Sequence, residues 1–163
     1  MLKNILLIGS LTKHEAHGVS LGFESLADGF KKISSNVKVI DTKGPRDSKK
    51  IGSFVFGQTI ASLRVVLLAW YAIPLRQSIY MTISLSRLGF FRDMLIILVA
   101  RLMRKRIILH LKGGGYNIFF SQQPNFFQKI IAFTLSLSTH IIVLGDLLRE
   151  QFDFVSSIKD KLK

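Results

Sequence analysis

The sequence alternates short apolar runs with longer segments of helical periodicity along most of its length. The runs predict five strands, at residues 3–9, 36–41, 78–84, 105–111 and 140–144. The intervening segments predict helices at 19–33, 53–73, 90–104 and 126–137, followed by a last helix that begins at Leu147 behind an Asp146 cap. Because strands joined by crossover helices pair in parallel, this order predicts an α/β fold, a Rossmann-like open parallel sheet with helices on both faces.

The 163 residues suit a single domain spanning 1–163, since no linker or shift in composition divides them. Cysteine is absent, which excludes disulfides and cysteine nucleophiles and is typical of a cytoplasmic protein. The first apolar run is short and no cleavage pattern follows it, so it predicts a strand and not a signal peptide.

Positive charge dominates the middle of the chain. The net charge is +13, and between Ser48 and Gly145 a single acidic residue, Asp93, is set against twelve lysines and arginines. This balance predicts a positive surface that suits anionic lipid or a phosphate-bearing ligand. The sequence contains no standard nucleic-acid module, which argues against a nucleic-acid partner.

The longest apolar stretch, 60–75, bears on membrane attachment. It is interrupted by Arg64 and closed by Pro74, and it is shorter than the roughly 20 apolar residues of a membrane span. We therefore expect peripheral attachment to the inner face of a membrane rather than a transmembrane segment.

A lysine and three glycines end the fourth predicted strand, in the run Ile107-Ile108-Leu109-His110-Leu111-Lys112-Gly113-Gly114-Gly115-Tyr116. In open α/β sheets, ligands bind outside the carboxyl ends of the strands. Glycines let the backbone approach a ligand closely, and Lys112 adds a mobile cation. The run predicts a loop that binds an anion or stabilises charge in a transition state.

The loop at 10–18 precedes the first predicted helix, whose free N–H groups would attract phosphate near Gly18. It matches neither the dinucleotide-binding nor the P-loop fingerprint, and an ordinary strand–helix connection remains an alternative. His14, His17 and His110 lack the defined ligand set of a metal site, so no metal is predicted. His110 lies inside a strand, where a structural role is expected.

Two groups of basic residues follow the third strand. Arg87 and Arg92 offer forked donors for phosphate or carboxylate, although Arg92 could instead be solvated or pair with Asp93. Further along, Arg101, Arg104 and Lys105 are predicted to share a helical face with Arg106 after it. That group is either a solvated basic face or a patch for a membrane surface.

These segments in this order resemble the amino-terminal domain of retaining GT-B glycosyltransferases of family 4. The matching segments cover nearly the whole chain: 4–9 (Asn-Ile-Leu-Leu-Ile-Gly), 17–20 (His-Gly-Val-Ser), 85–93 (Leu-Ser-Arg-Leu-Gly-Phe-Phe-Arg-Asp), 107–116, 139–145 (Thr-His-Ile-Ile-Val-Leu-Gly) and 147–150 (Leu-Leu-Arg-Glu).

The resemblance implies the acceptor-binding domain of a two-domain enzyme. We expect it to need no metal or other cofactor. Such an enzyme transfers a sugar from a nucleotide-sugar donor to a lipid-linked or cell-surface glycan acceptor. In the family, a second domain with a Glu-x7-Glu pattern holds the donor across a cleft. No such donor-binding domain follows Lys163. We therefore expect an incomplete domain, inactive until a separate donor-domain subunit or the rest of a longer chain supplies the other half.

The resemblance also implies roles for individual residues. Lys112 occupies the place near the reacting sugar where the family commonly has histidine, which implies an electrostatic catalytic role. Gly18 fits the second glycine of a pair near the donor phosphates, with His17 in place of the first. Gly113 and Gly114 are expected near the same phosphates. The expected acceptor contacts are Arg87, Arg92 and Tyr116.

Two rival interpretations belong to other classes. A non-catalytic, membrane-associated subunit that recruits a catalytic partner would explain the positive surface, but it has no need of Lys112 and its glycine loop. A nucleotide-binding oxidoreductase would need the glycine fingerprint that the first loop lacks.

Overall fold

The computed structural model describes residues 4–12, 18–34, 36–43 and 54–163. Its five strands form one sheet in the order β2-β1-β3-β4-β5, and every pair is parallel. The strands are β1 (Asn4–Gly9), β2 (Asn36–Asp41), β3 (Ser78–Thr82), β4 (Arg106–Leu111) and β5 (His140–Val143). The predicted α/β fold with an open parallel sheet is confirmed.

The helices connect these strands and cover both faces of the sheet. They are α1 (Gly18–Ile33), α2 (Phe54–Ala72), α3 (Arg87–Leu102), α4 (Tyr116–Ser121) and α5 (Asn125–Ser136). Shorter 3₁₀ segments follow α2 and β5, at Ile73–Leu75, Asp146–Phe152 and Ser156–Lys161. Helix α4 was not predicted, and the last helix is 3₁₀ rather than α.

Alternate residues of each central strand enter two separate cores. Leu6 and Ile8 pack on the side of α2, α3 and α5, whereas Ile5 and Leu7 pack on the side of α1 with Phe23. A strand buried on both faces needs apolar residues at nearly every position. The continuous apolar run of β1 is therefore a consequence of helices on both sides.

The beginnings of two helical segments differ from the sequence prediction. Helix α3 begins at Arg87 and not at residue 90, because the Ser86 hydroxyl caps it by accepting the Gly89 N–H at 3.2 Å. The cap predicted at Asp146 is wrong, because Gly145 holds the cap position. The Asp146 carboxylate instead pairs with Arg149 at 3.1 Å.

The shared helical face predicted for Arg101, Arg104 and Lys105 is also wrong. Helix α3 ends at Leu102, and Arg104 turns the chain with a φ of 53°. The Lys105 amine then donates to the Pro74 carbonyl at 2.9 Å, beyond the end of α2. The basic residues here follow a turn into β4, and only Arg101 belongs to the helix.

The chain reverses its direction of travel across the sheet between β1 and β3. From β1 it adds β2 on one side, then returns to place β3 on the other side of β1. The crevice outside the carboxyl ends of the strands at such a switch point is where α/β proteins bind ligands. Residues 10–12, which follow β1, and the loops after β3 and β4 lie at this edge of the sheet.

Candidate functional site

Lys112 links two of these loops. Its side chain leaves the end of β4 and reaches the start of α1, where Nζ donates to the Val19 carbonyl at 3.3 Å and lies 5.3 Å from the Phe23 ring centroid. Gly22 lies next to the same amine, since a Cβ built on it would be in van der Waals contact with Nζ at 3.6 Å. The structure thus brings Lys112 beside the helix start that contains Gly18.

Partial burial lowers the pKa of the Lys112 amine. Within the described ranges, no carboxylate forms an ion pair with it. A cation that is partly shielded from water and held by a single carbonyl is well placed to bind an anion more strongly than a fully solvated lysine would.

The segment that follows β5 hydrogen-bonds to the end of the glycine loop. Gly115 adopts a φ of 92°, which a glycine tolerates and other residues rarely do. The next N–H, of Tyr116, donates to the Gln151 side-chain oxygen at 2.9 Å. An anion at this loop would therefore meet Gly113 and Gly114 rather than the start of α4.

His110 lies in β4, two residues before Lys112, and interacts with a buried tyrosine. Its Nδ1 hydrogen-bonds the hydroxyl of buried Tyr80, and its Nε2 is buried without a hydrogen-bond partner among the described residues. Burial, and then the nearby Lys112 charge, lower the pKa of His110 to about 4. Burial also raises the pKa of the Tyr80 hydroxyl. His110 thus lies inside a strand, as the sequence predicted, and the structure adds that its ring is neutral near pH 7.

The lowered pKa of His110 predicts a loss of stability in mild acid. Above pH about 6.5 the ring is neutral in both the folded and unfolded states, whereas between pH 6.5 and 4 only the unfolded chain takes up the proton. The free energy of unfolding should therefore fall, as the pH falls, by at most about 1.4 kcal/mol per pH unit from this residue. Urea titrations from pH 7.5 to 4.5 measure the slope.

The control for this titration is the exposed His140 of β5. His110→Gln should flatten the slope between pH 6.5 and 5, and His140→Gln should leave it unchanged. An identical slope in wild type and His110→Gln would show that His110 is not the group that titrates.

The Arg92 side chain is paired with Asp93. Its Nε and terminal nitrogen donate to Asp93 Oδ1 at 2.9 and 2.6 Å, and the Ser84 N–H donates to the other carboxylate oxygen at 2.9 Å. Burial raises the pKa of Asp93 despite the adjacent guanidinium, which lowers it. Of the alternatives left open for Arg92, the structure shows the ion pair, and an acceptor contact stays a prediction.

The other two predicted acceptor residues differ in their surroundings. Arg87 is exposed at the start of α3, where its Nε donates to the Gln123 side-chain oxygen at 2.8 Å. Tyr116 is only 1% exposed, and its ring packs against Phe119, Phe152 and Phe154. No contact given by the structure joins either residue to Lys112. Arg87 therefore remains available to a ligand, while Tyr116 supports the glycine loop from within the core.

The sequence did not reveal several polar residues that shape the site. Tyr80 of β3 pairs with Ile108 of β4, and His110 is two residues further along β4 on the same face of the sheet. A known strand register would therefore have suggested the contact between Tyr80 and His110. Gln151 and Gln123 carry no such signal, because their partners are distant in sequence and belong to loops and caps.

The described residues contain no group of three or more His, Cys, Asp or Glu side chains able to hold a metal ion. His14 and His17 lie outside the described residues. No protein-family model matches the sequence, and no curated protein shows significant similarity to it. The architecture is shared by proteins of many unrelated functions, so the site itself must carry any functional proposal.

Proposed function

We propose that this chain is the acceptor-binding half of a GT-B glycosyltransferase that acts at the cytoplasmic face of a membrane. The observation that carries the proposal is the position of Lys112, between the glycine loop and the start of α1 at the carboxyl edge of a parallel sheet. With a donor-binding domain opposite this edge, the enzyme would transfer a sugar from a nucleotide-sugar to a lipid-linked or cell-surface glycan.

Each residue at this edge has a specific role in the proposal. Transfer breaks the bond between the sugar and the nucleoside diphosphate, so negative charge develops on the leaving phosphate. The Lys112 ammonium and the N–H groups of Gly113 and Gly114 would stabilise that charge. Gly18 would let the first loop approach the donor phosphates, and exposed Arg87 would orient the acceptor.

The proposal predicts that Lys112→Ala lowers the rate of sugar transfer by roughly 10- to 100-fold, about the contribution of one hydrogen bond to a charged group. Transfer would be measured from radiolabelled nucleotide-sugars into the lipid and glycan fractions of membranes that contain this chain and a donor-binding half. Lys112→Arg keeps the charge and should retain more activity than Lys112→Ala.

Lys105 provides the matched control, since it lies before the opposite end of β4 and its amine contacts the Pro74 carbonyl. Lys105→Ala should leave transfer unchanged. Equal rates for wild type and Lys112→Ala would remove Lys112 from the mechanism. Transfer that requires the chain but not Lys112 would favour the rival function, a non-catalytic subunit that recruits the catalytic partner.

A further inference from the structure

One side of α2 faces away from the sheet and is apolar and exposed; we call this side the outer half of α2 and the opposite side its inner half. The inner half packs into the core through Val65, Val66 and Ala69. On the outer half, the large side chains recur at the three- and four-residue spacing of one helical face. They are Ile60, Leu63, Leu67, Leu68 and Tyr71, with Tyr71 81% exposed, and Leu75 of the following 3₁₀ segment continues them. A helix that is apolar on all sides is normally buried on all sides, but the described residues leave the outer half of α2 exposed.

The same surface continues onto α3. Trp70 joins the two helices, because its indole N–H donates to the Leu95 carbonyl of α3 at 3.2 Å. Beyond it, Leu98 is partly exposed and Leu102 is 83% exposed at the end of α3. We use the name α2–α3 face for the surface formed by the apolar residues named above for α2, together with Trp70, Leu98 and Leu102. Its exposed apolar side chains are grouped together, whereas those of an ordinary protein surface are scattered singly.

Among the described residues, the exposed charge around the α2–α3 face is positive. Asp93 is the sole acidic residue between positions 54 and 143, and it is buried against Arg92. The exposed charged residues of α2 and α3 include Arg64 and Arg101. The other described carboxylates belong to α1, to the end of β2 and to the segment after β5: Glu24, Asp28, Asp41, Asp146, Glu150, Asp153 and Asp160.

From this combination we propose that the α2–α3 face docks on the surface of an anionic lipid bilayer. The apolar side chains enter the boundary between headgroups and acyl chains, and the arginines contact the lipid phosphates. Trp70 and Tyr71 suit this boundary because each combines an apolar ring with a polar group. This inference goes beyond the proposed enzymatic function and does not depend on it.

Arg64 argues for a lipid surface over a second copy of the chain. It lies among Ile60, Leu67 and Leu68 on the outer half of α2, where its long stem lets the guanidinium reach the headgroups. In a symmetric dimer through this face, Arg64 would be buried against a surface to which the described part of the chain contributes no exposed carboxylate. An unpaired buried charge of that kind is strongly unfavourable.

The same helix has the length and composition of a membrane span. Gly57–Leu75 is the one candidate of this kind among the described residues, and 28% of it is buried inside the protein. A span would remove Val65, Val66 and Ala69 from the core that they share with the sheet and with α3. Docking on the surface uses the outer half and keeps that core intact.

Vesicle co-sedimentation tests the proposal. The complete chain should bind vesicles of equimolar phosphatidylcholine and phosphatidylglycerol, bind phosphatidylcholine vesicles much more weakly, and be released by alkaline carbonate. Leu67→Glu should weaken binding roughly tenfold or more. Arg64→Gln and Arg101→Gln should each weaken it about fivefold, since each removes one positive charge near the lipid surface.

Leu147→Glu is the matched control, because Leu147 is 85% exposed and lies after β5, outside the α2–α3 face. It should bind vesicles as the wild type does. Unchanged circular dichroism and melting temperature would show that the variants are folded. Undiminished binding of folded Leu67→Glu, equal binding to both vesicle types, or no binding by the wild type would each overturn the proposal.

Two further outcomes would replace the proposal with another occupant of the face. Resistance of the bound wild type to carbonate extraction would identify α2 as an embedded span. A lipid-free dimer that Leu67→Glu converts to a monomer would show that a second copy covers the α2–α3 face.

Discussion

Asp93→Ala is expected to lower the free energy of unfolding by about 3–5 kcal/mol, because it leaves a buried charge without its partner. Asp93 is 3% exposed, and its carboxylate accepts hydrogen bonds from the Arg92 guanidinium and the Ser84 N–H. Arg92 is also largely buried. Removing the carboxylate therefore leaves the Arg92 guanidinium and the Ser84 N–H without their hydrogen-bond acceptor.

Urea denaturation of the complete chain measures this change, and Asp93→Asn separates its causes. The amide can still accept the Ser84 N–H but cannot neutralise Arg92, so an intermediate loss is expected. The control is Asp28→Ala, since the Lys31–Asp28 pair on α1 has both side chains more than half exposed and should change stability by less than about 1 kcal/mol. Equal losses for Asp93→Ala and Asp28→Ala would contradict the role assigned to burial.

Phe23→Ala is expected to have an effect of similar size, about 3–5 kcal/mol, because truncation of a fully buried aromatic ring removes apolar burial and leaves a cavity. The ring is 0% exposed, packs 6.3 Å from the Tyr80 ring centroid and lies beneath Lys112. It is the largest buried side chain of α1. Thermal and urea denaturation measure the loss, and Phe133→Ala on an exposed ring of α5 should cost far less.

Gly9 supplies a second, independent check on the same packing. A Cβ at Gly9 would lie 2.5 Å from the Phe23 ring, so Gly9→Ala should destabilise the wild type by about 1–3 kcal/mol. In a Phe23→Leu background the added methyl has room, so the double variant should be less destabilised than the sum of the single changes. Strict additivity would show that Gly9 and Phe23 do not pack as described.

Local sequence signals predicted the strands and most helices because these elements carry strong periodicity. The alternation in β2 and the apolar runs of β1 and β4 are such signals. Helix α4 was missed because it has only six residues and follows a glycine loop, with the left-handed Gly115 at its cap position. The start of α3 was misplaced because the Ser86 cap outweighs the first large apolar residues as a boundary signal.

The site was predicted in part for the same reason. The lysine and glycines after β4 are adjacent in sequence, and the carboxyl edge of a parallel sheet is a known place for ligands. The partners of these residues are not local. Lys112 meets a carbonyl that is 93 positions away, and Gln151 reaches the Tyr116 N–H from 35 positions away.

The sequence by itself determined the parallel sheet and the place of the Lys112 loop, because periodicity and glycine content act over a few residues. The tertiary structure decided which of two equally apolar halves of α2 enters the core and which remains exposed as the α2–α3 face. It also decided that Arg92 pairs with Asp93, whereas Lys112 has no carboxylate partner within the described residues. These outcomes depend on how helices pack across the sheet, and the order of residues within a single segment does not specify that packing.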